Sequence, residues 1–260
     1  LGQPIHLLLN SISQWMICGR CLLLKMKKGL CLIVGGNAGI GKGIFDLFSK
    51  KNINTYVLDI ENRKSNKFIQ VDLSDKKSLD KALKNKIFKK NKIKNLIFCQ
   101  RFRGDNLHSH FKVSFFPVVT LIEKLKNKME NNSSVVVINS YVSSFISDDQ
   151  PLGYQASKAS LINLVKFYAV NFGAKKIRFN SILPGTTIKP ESAKFYKKNI
   201  KYKKISYKII PLRRLGNTKD IANLVEFLCS DKASYITGQS IYLDGGLSLV
   251  GQETVARKFI

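Results

Sequence analysis

Gly29-Leu30-Cys31-Leu32-Ile33-Val34 runs straight into Gly35-Gly36-Asn37-Ala38-Gly39-Ile40-Gly41, and Ile44, Phe45, Leu47 and Phe48 follow at helical spacing. An apolar run with no polar face suits a strand buried on both sides. The glycines then turn the chain directly into a helix. Gly35, Gly39 and Gly41 keep a G-x-x-x-G-x-G spacing, with Ile40 between the last two. A Cβ in such a loop would hold a ligand off the backbone and the helix off the strand. The N–H groups that open the helix can meet a pyrophosphate.

The alternation continues outward from this loop. Strands are predicted over 54–60, 68–71, 95–99, 134–139, 177–183 and 240–243. Helices are predicted over 78–87, 111–129, 154–172 and 219–229. Strands and helices in turn predict an α/β fold: a doubly wound parallel sheet of about seven strands, helices on both faces, right-handed connections. No interior linker, repeat or low-complexity tract divides it, so 26–260 reads as a single domain.

Residues 1–25 read as an extension outside that domain. The first Met that opens a sensible domain is Met26, and the apolar stretch before it is broken by Asn10, Ser11, Ser13, Gln14 and Arg20. No window reaches the ~18–20 apolar residues of a spanning helix. A secretory signal would require a positively charged start, and residues 1–6 carry no Lys or Arg. A weak amphipathic surface anchor is the alternative.

The chain has 260 residues, 44% of them apolar and 23% charged, which is a globular composition with ample core. Five dispersed cysteines exclude a disulfide scaffold and fit a reducing cytoplasm. Cys18 and Cys21 form a C-x-x-C, but no second pair follows at zinc spacing, so no metal site is read. The 44 Lys+Arg exceed the 17 Asp+Glu by 27. Such a charge suggests nucleic acid. The excess is nearly all Lys, and Asn and Ile are abundant too, as an A+T-rich coding sequence produces. Nucleic acid is therefore disfavoured as a partner. The run 194–208, with Tyr196, Tyr202 and Tyr207 among its lysines, can line a substrate entrance and hints at an anionic substrate.

Asp59 closes the second strand, 18 positions after Gly41. A carboxylate there accepts hydrogen bonds from a ribose diol and repels a 2′-phosphate. Tyr154 and Lys158 stand one turn apart on one helix face. An ammonium beside a phenol favours the phenolate, so the pair can exchange a proton with a hydroxyl or carbonyl. Ser140 follows the fifth strand and can hold the reacting oxygen beside Tyr154.

The glycine loop, Asp72-Leu73, Ser140, Tyr154/Lys158, Asn180-Ser181-Ile182-Leu183-Pro184-Gly185 and Asp244-Gly245-Gly246 stand in one familiar order. On these residues the sequence resembles the short-chain dehydrogenase/reductases of the single-domain type. The resemblance implies a Rossmann-like fold, a nicotinamide cofactor and hydride transfer at a carbonyl carbon of a secondary alcohol or ketone. It implies that Tyr154 is the acid/base, that Lys158 also binds the nicotinamide ribose and that Ser140 orients the substrate. It puts Asp72, followed by Leu73, at the adenine and Ile188 near the carboxamide. It implies a homo-oligomer, tetramer or dimer. With Asp59 the expected cofactor is NAD, with NADP disfavoured, and the substrate a small or carrier-linked molecule.

Some residues depart from the family pattern. Val34 stands where Thr is usual, and Cys99-Gln100-Arg101-Phe102 where Asn-Asn-Ala-Gly is usual. The relay Asn is not evident, Ser114 being nearest its place, and Ser140 to Tyr154 is one residue longer than the commonest spacing. The alternatives are a 3-oxoacyl-carrier-protein reductase using NADPH, or a non-catalytic, RNA-binding protein on the same fold.

Overall fold

The computed structural model describes residues 29–260. The extension 1–25 and the Cys18/Cys21 pair lie outside the described residues. Strand β1 (Leu30–Val34) leads through the glycine loop into α1 (Gly39–Lys50), then β2 (Thr55–Asp59) and β3 (Phe68–Gln70). Helices α2 (Lys76–Leu83) and α3 (Lys86–Lys90) precede β4 (Ile93–Phe98). Next, α4 (Leu107–His110) passes through a π turn, Phe111–Phe115, into α5 (Phe116–Leu125). β5 (Met129–Ile138), α6 (Leu152–Phe172) and β6 (Arg178–Pro184) complete the middle. Short β7 (Thr187–Ile188), α7 (Ala193–Lys198), α8 (Ile200–Ile209) and β8 (Gly216–Asn217) cross one end. Then come α9 (Thr218–Cys229), β9 (Ser240–Leu243) and α10 (Gln252–Arg257).

The sheet order is β3-β2-β1-β4-β5-β6-β9, every pairing parallel. This is the doubly wound sheet of seven strands expected. All five residues of β1 are fully buried, because alternate side chains feed opposite cores. Leu30, Leu32 and Val34 pack with Val118, Leu121, Leu161 and Val165 of α5 and α6. Cys31 and Ile33 pack with Ile44 and Phe48 of α1 and Ile221 and Val225 of α9. The strand order reverses at β1, between β2 and β4, and the crevice beyond the carboxyl ends there is where such sheets bind ligands.

Three predicted elements change by more than two residues. The helix over 78–87 is two helices, because Asn85 caps α3 by accepting the Ile87 N–H at 3.1 Å. The helix over 111–129 starts earlier, at Leu107, where Asn106 caps it. It ends earlier too, since Met129 pairs with Ile93 and opens β5. The strand over 134–139 therefore begins five residues sooner, across an irregularity that holds Asn132 at φ 62°.

No helix among the described residues is long and apolar enough to cross a membrane. No group of three or more His, Cys, Asp or Glu among them is placed to hold a metal.

Candidate active site

A cavity of about 410 Å³ lies at the carboxyl ends of β1, β2, β4 and β5. Its wall carries Gly35, Gly39, Ile40 and Gly41 from the loop, Asp59 from β2, and Asp72 and Leu73 after β3. Tyr154 and Lys158 of α6 complete it. Nine of the residues singled out in the sequence therefore share one wall. Ser140 and Ile188 do not line it. Their neighbours Asn139 and Lys189 do.

The loop is packed as tightly as the sequence argument requires. A Cβ on Gly41 would stand 2.1 Å from the Gly35 carbonyl oxygen. Helix α1 begins without a side-chain cap and with no acidic residue in its first turn. Its unpaired N–H groups and positive dipole end therefore face the cavity.

At the end of β2 the Asp59 carboxylate accepts the Asn37 N–H at 2.9 Å and the Glu61 N–H at 3.3 Å. The Asn37 side-chain amide donates to Glu61, which brings a second carboxylate beside Asp59. Arg63 is engaged nearby: it donates to the Asn37 carbonyl at 2.8 Å and lies 5.1 Å over the Phe68 ring. Asp72 accepts from the Ser74 N–H and hydroxyl at 2.8 and 2.7 Å, which fixes its carboxylate at the cavity edge.

Tyr154 and Lys158 sit on the buried stripe of α6 that continues through Leu161, Val165, Tyr168 and Phe172. The later turns of that stripe feed the core. The first two turns reach the strand ends, so the same face carries chemistry there. The Lys158 ammonium donates to the Ile138 carbonyl at 2.9 Å. The Tyr154 ring lies 4.9 Å from the Arg101 guanidinium and 6.0 Å from the His110 ring. Among the described residues nothing hydrogen-bonds the Tyr154 hydroxyl.

Burial first, then the charges of Arg101 and Lys189, lower the Lys158 pKa from 10.5 to about 8. The folded value lies below the unfolded one, so the unfolded chain binds this proton more tightly. The cost of burying the ammonium is present in full below pH 8 and is relieved as pH rises toward the unfolded pKa. Relative to Lys158→Met, the wild type should therefore gain about 2 kcal/mol of stability between pH 7 and pH 9.5. Denaturant melts of both proteins at the two pH values check this. A parallel response would show that Lys158 is not held in this way.

Several buried polar atoms beside this pair have no partner: both side-chain amide atoms of Asn139, the Gln100 carbonyl oxygen and the Ser114 hydroxyl. Gln100 donates to the Ser114 carbonyl at 3.4 Å, at the π turn. Of these, Asn139 and Gln100 line the cavity, and unpaired buried polar groups that face a cavity call for a polar ligand or water. The uncapped helix end, the glycine cradle, the Asp59 carboxylate and these orphaned amides together fit a nicotinamide dinucleotide.

Sequence reasoning missed Arg101, Arg103, Lys189 and Glu191, which also line the cavity. Arg101 lies within the altered fourth-strand motif and Arg103 directly after it, which was the one available signal. Lys189 and Glu191 lie at the start of the Lys-rich segment that crosses the strand ends and were indistinguishable from its surface charge.

The family described as Enoyl-(Acyl carrier protein) reductase matches residues 34–248 of the chain. A 3-oxoacyl-(acyl-carrier-protein) reductase of Buchnera aphidicola is 31% identical, over 86% of this chain and 99% of its own. A glucose 1-dehydrogenase of Gluconobacter oxydans is 35% identical over 130 residues; that match spans 50% of this chain and about half, 48%, of the relative. Among solved structures, a short chain dehydrogenase family protein from Francisella tularensis superimposes with a TM-score of 0.75 at 25% identity. It covers 86% of this chain and 100% of its own.

Proposed function

The chain belongs to the short-chain dehydrogenase/reductase family, and from that premise we propose that Tyr154, Lys158 and Ser140 carry its chemistry, with NAD(H) preferred. It is a nicotinamide-dependent oxidoreductase that transfers a hydride. The observation that carries the site assignment is the shared wall: Tyr154 and Lys158 face the same cavity as the glycine loop and Asp59.

A nicotinamide held in this cavity would supply or take the hydride at the carbon of a secondary alcohol or ketone. The protein's own residues do the rest. The α1 N-terminus and the glycine loop receive the pyrophosphate, Asp59 the adenosine ribose diol, and Asp72 with Leu73 the adenine. Tyr154 gives or takes the proton at the substrate oxygen through its hydroxyl. Lys158, one turn along the same helix face, would hydrogen-bond the nicotinamide ribose. Ser140 orients the substrate oxygen, and Ile188 meets the carboxamide through its backbone. These roles are tested by NADH fluorescence on mixing, followed by turnover with a panel of ketones and alcohols. Silence in both would remove them.

Asp59, with Glu61 held nearby through Asn37, opposes a 2′-phosphate and supports NAD over NADP. Asp59→Ala is expected to narrow the preference for NADH over NADPH by ~1–3 kcal/mol, the size of one charged contact. Paired titrations with the two cofactors measure it. Tighter binding of NADPH than NADH to the wild type would reverse the assignment, and would favour the reading as a 3-oxoacyl-carrier-protein reductase.

Arg101, on the cavity wall 4.9 Å from the Tyr154 ring, supports an anionic substrate, small or carrier-linked. Exposed Leu152, Phe167 and Val170 on α6 and Phe116 on α5 support a homo-oligomer through these helices. Light scattering at physiological salt decides that point; a monomer would rule it out.

A further inference from the structure

The cavity wall carries four cations, Arg101, Arg103, Lys158 and Lys189. Over the glycine loop it also carries a carboxylate that belongs neither to the loop nor to β2. This is Glu191, from the turn that follows β7. Its Oε1 lies 2.8 Å from where a Cβ on Gly39 would stand, and the Lys189 Cδ lies 3.4 Å from the same point. Gly39 is the first residue of α1, whose N-terminus has no cap and no acid of its own. The positive end of the helix thus meets an anion brought from far along the chain. The Arg103 Nη2 stands 3.5 Å from the same Glu191 oxygen. Burial and Arg101 work against the charge on Lys189, and Glu191 supports it.

These are the surroundings of a bound anion: a helix N-terminus, a glycine with no side chain in the way, a guanidinium and an ammonium. We propose that Glu191 is a built-in substitute for the dinucleotide's pyrophosphate, paired with Arg103 over the loop and lying beside Lys189 until the pyrophosphate displaces it and takes both cations. The proposal rests on the cofactor reading above. A pyrophosphate carries two negative charges to the carboxylate's one, so it wins the cradle and repels Glu191 from it. Glu191 stands on the turn that follows β7, whose strand partner among the described residues is two-residue β8. The dinucleotide then binds a protein whose cradle was already shaped around a negative charge. The carboxylate competes, so the apparent Kd is the intrinsic one divided by the fraction of molecules whose cradle is open.

The test compares wild type, Glu191→Gln and Lys189→Met, with melting temperature as the check on folding. NADH is followed by fluorescence, and ADP and adenosine by calorimetry. Glu191→Gln is expected to tighten NADH and ADP by about fivefold, the size of one partly exposed ion contact. Adenosine, which lacks the pyrophosphate, should bind unchanged. Lys189→Met should weaken NADH and ADP by at least as much. Equal or weaker NADH binding by a normally folded Glu191→Gln overturns the proposal and leaves the cofactor reading in place. A shift that adenosine shares overturns it too, because the effect would not act at the pyrophosphate. A wild type that binds neither NADH nor NADPH removes the cofactor reading and the proposal together.

Discussion

Tyr154→Phe is expected to lower turnover by about 10²- to 10⁴-fold while NADH binds as before. The ring stays, so its packing against Arg101 and His110 survives, and α6 keeps its buried stripe. Only the hydroxyl goes. That hydroxyl makes no hydrogen bond within the described residues, so its loss leaves no protein group unpaired and should cost little stability. A Phe variant that is inactive, melts normally and binds NADH would isolate the proton step. Unchanged turnover would move the acid/base elsewhere, and His110, 6.0 Å away, would be the next residue to change.

Gly41→Ala should be the most damaging single-methyl change in the site. The added carbon would fall 2.1 Å from the Gly35 oxygen and 2.8 Å from the Gly36 Cα. Both are backbone atoms, so no side chain can swing aside. Helix α1 would have to lift from β1, which opens the Ile44 and Phe48 contacts with Cys31 and Ile33. We expect a loss of about 3 kcal/mol or more, at the upper end for overpacking, and a melting temperature lower by about 5 °C or more. NADH affinity should fall more than tenfold, because the N–H groups of α1 leave the cradle. Calorimetric melting and a fluorescence titration test the two effects separately. An Ala variant with wild-type melting would mean the loop is looser than its geometry indicates.

The sheet was legible in the sequence because its strands are short, apolar and buried on both faces. Leu30–Val34 and Val135–Ile138 could hardly be anything else once glycines or polar turns bounded them. Tyr154, Lys158 and Asp59 were legible for another reason: helix spacing and strand ends fix where such side chains point. Met129 was not, since an apolar residue after a helix reads as more helix, and only its pairing with Ile93 makes it strand. Nor was Asn85, which caps a second helix inside a stretch that reads as one. The cations and carboxylate over the loop were the least legible. Arg103 and Glu191 are 88 residues apart and meet through the path of β7 beyond the strand ends. Local pattern carries no information about such a meeting.

The place of β1 in the sheet also has a consequence for synthesis. Among the described strands it leaves the ribosome first, yet it belongs in the interior, between β2 and β4. Its β2 edge can pair early. Its other edge waits for Ile93–Phe98, about 60 residues later, which at ~5–20 residues per second is a delay of several seconds. Through that interval Leu-Cys-Leu-Ile-Val offers an unpaired apolar edge, a template for any extended chain nearby. The nascent half-sheet should therefore be the stage most prone to aggregation, and chaperone capture should peak on ribosome-stalled chains that end before β4 and fall once it has emerged.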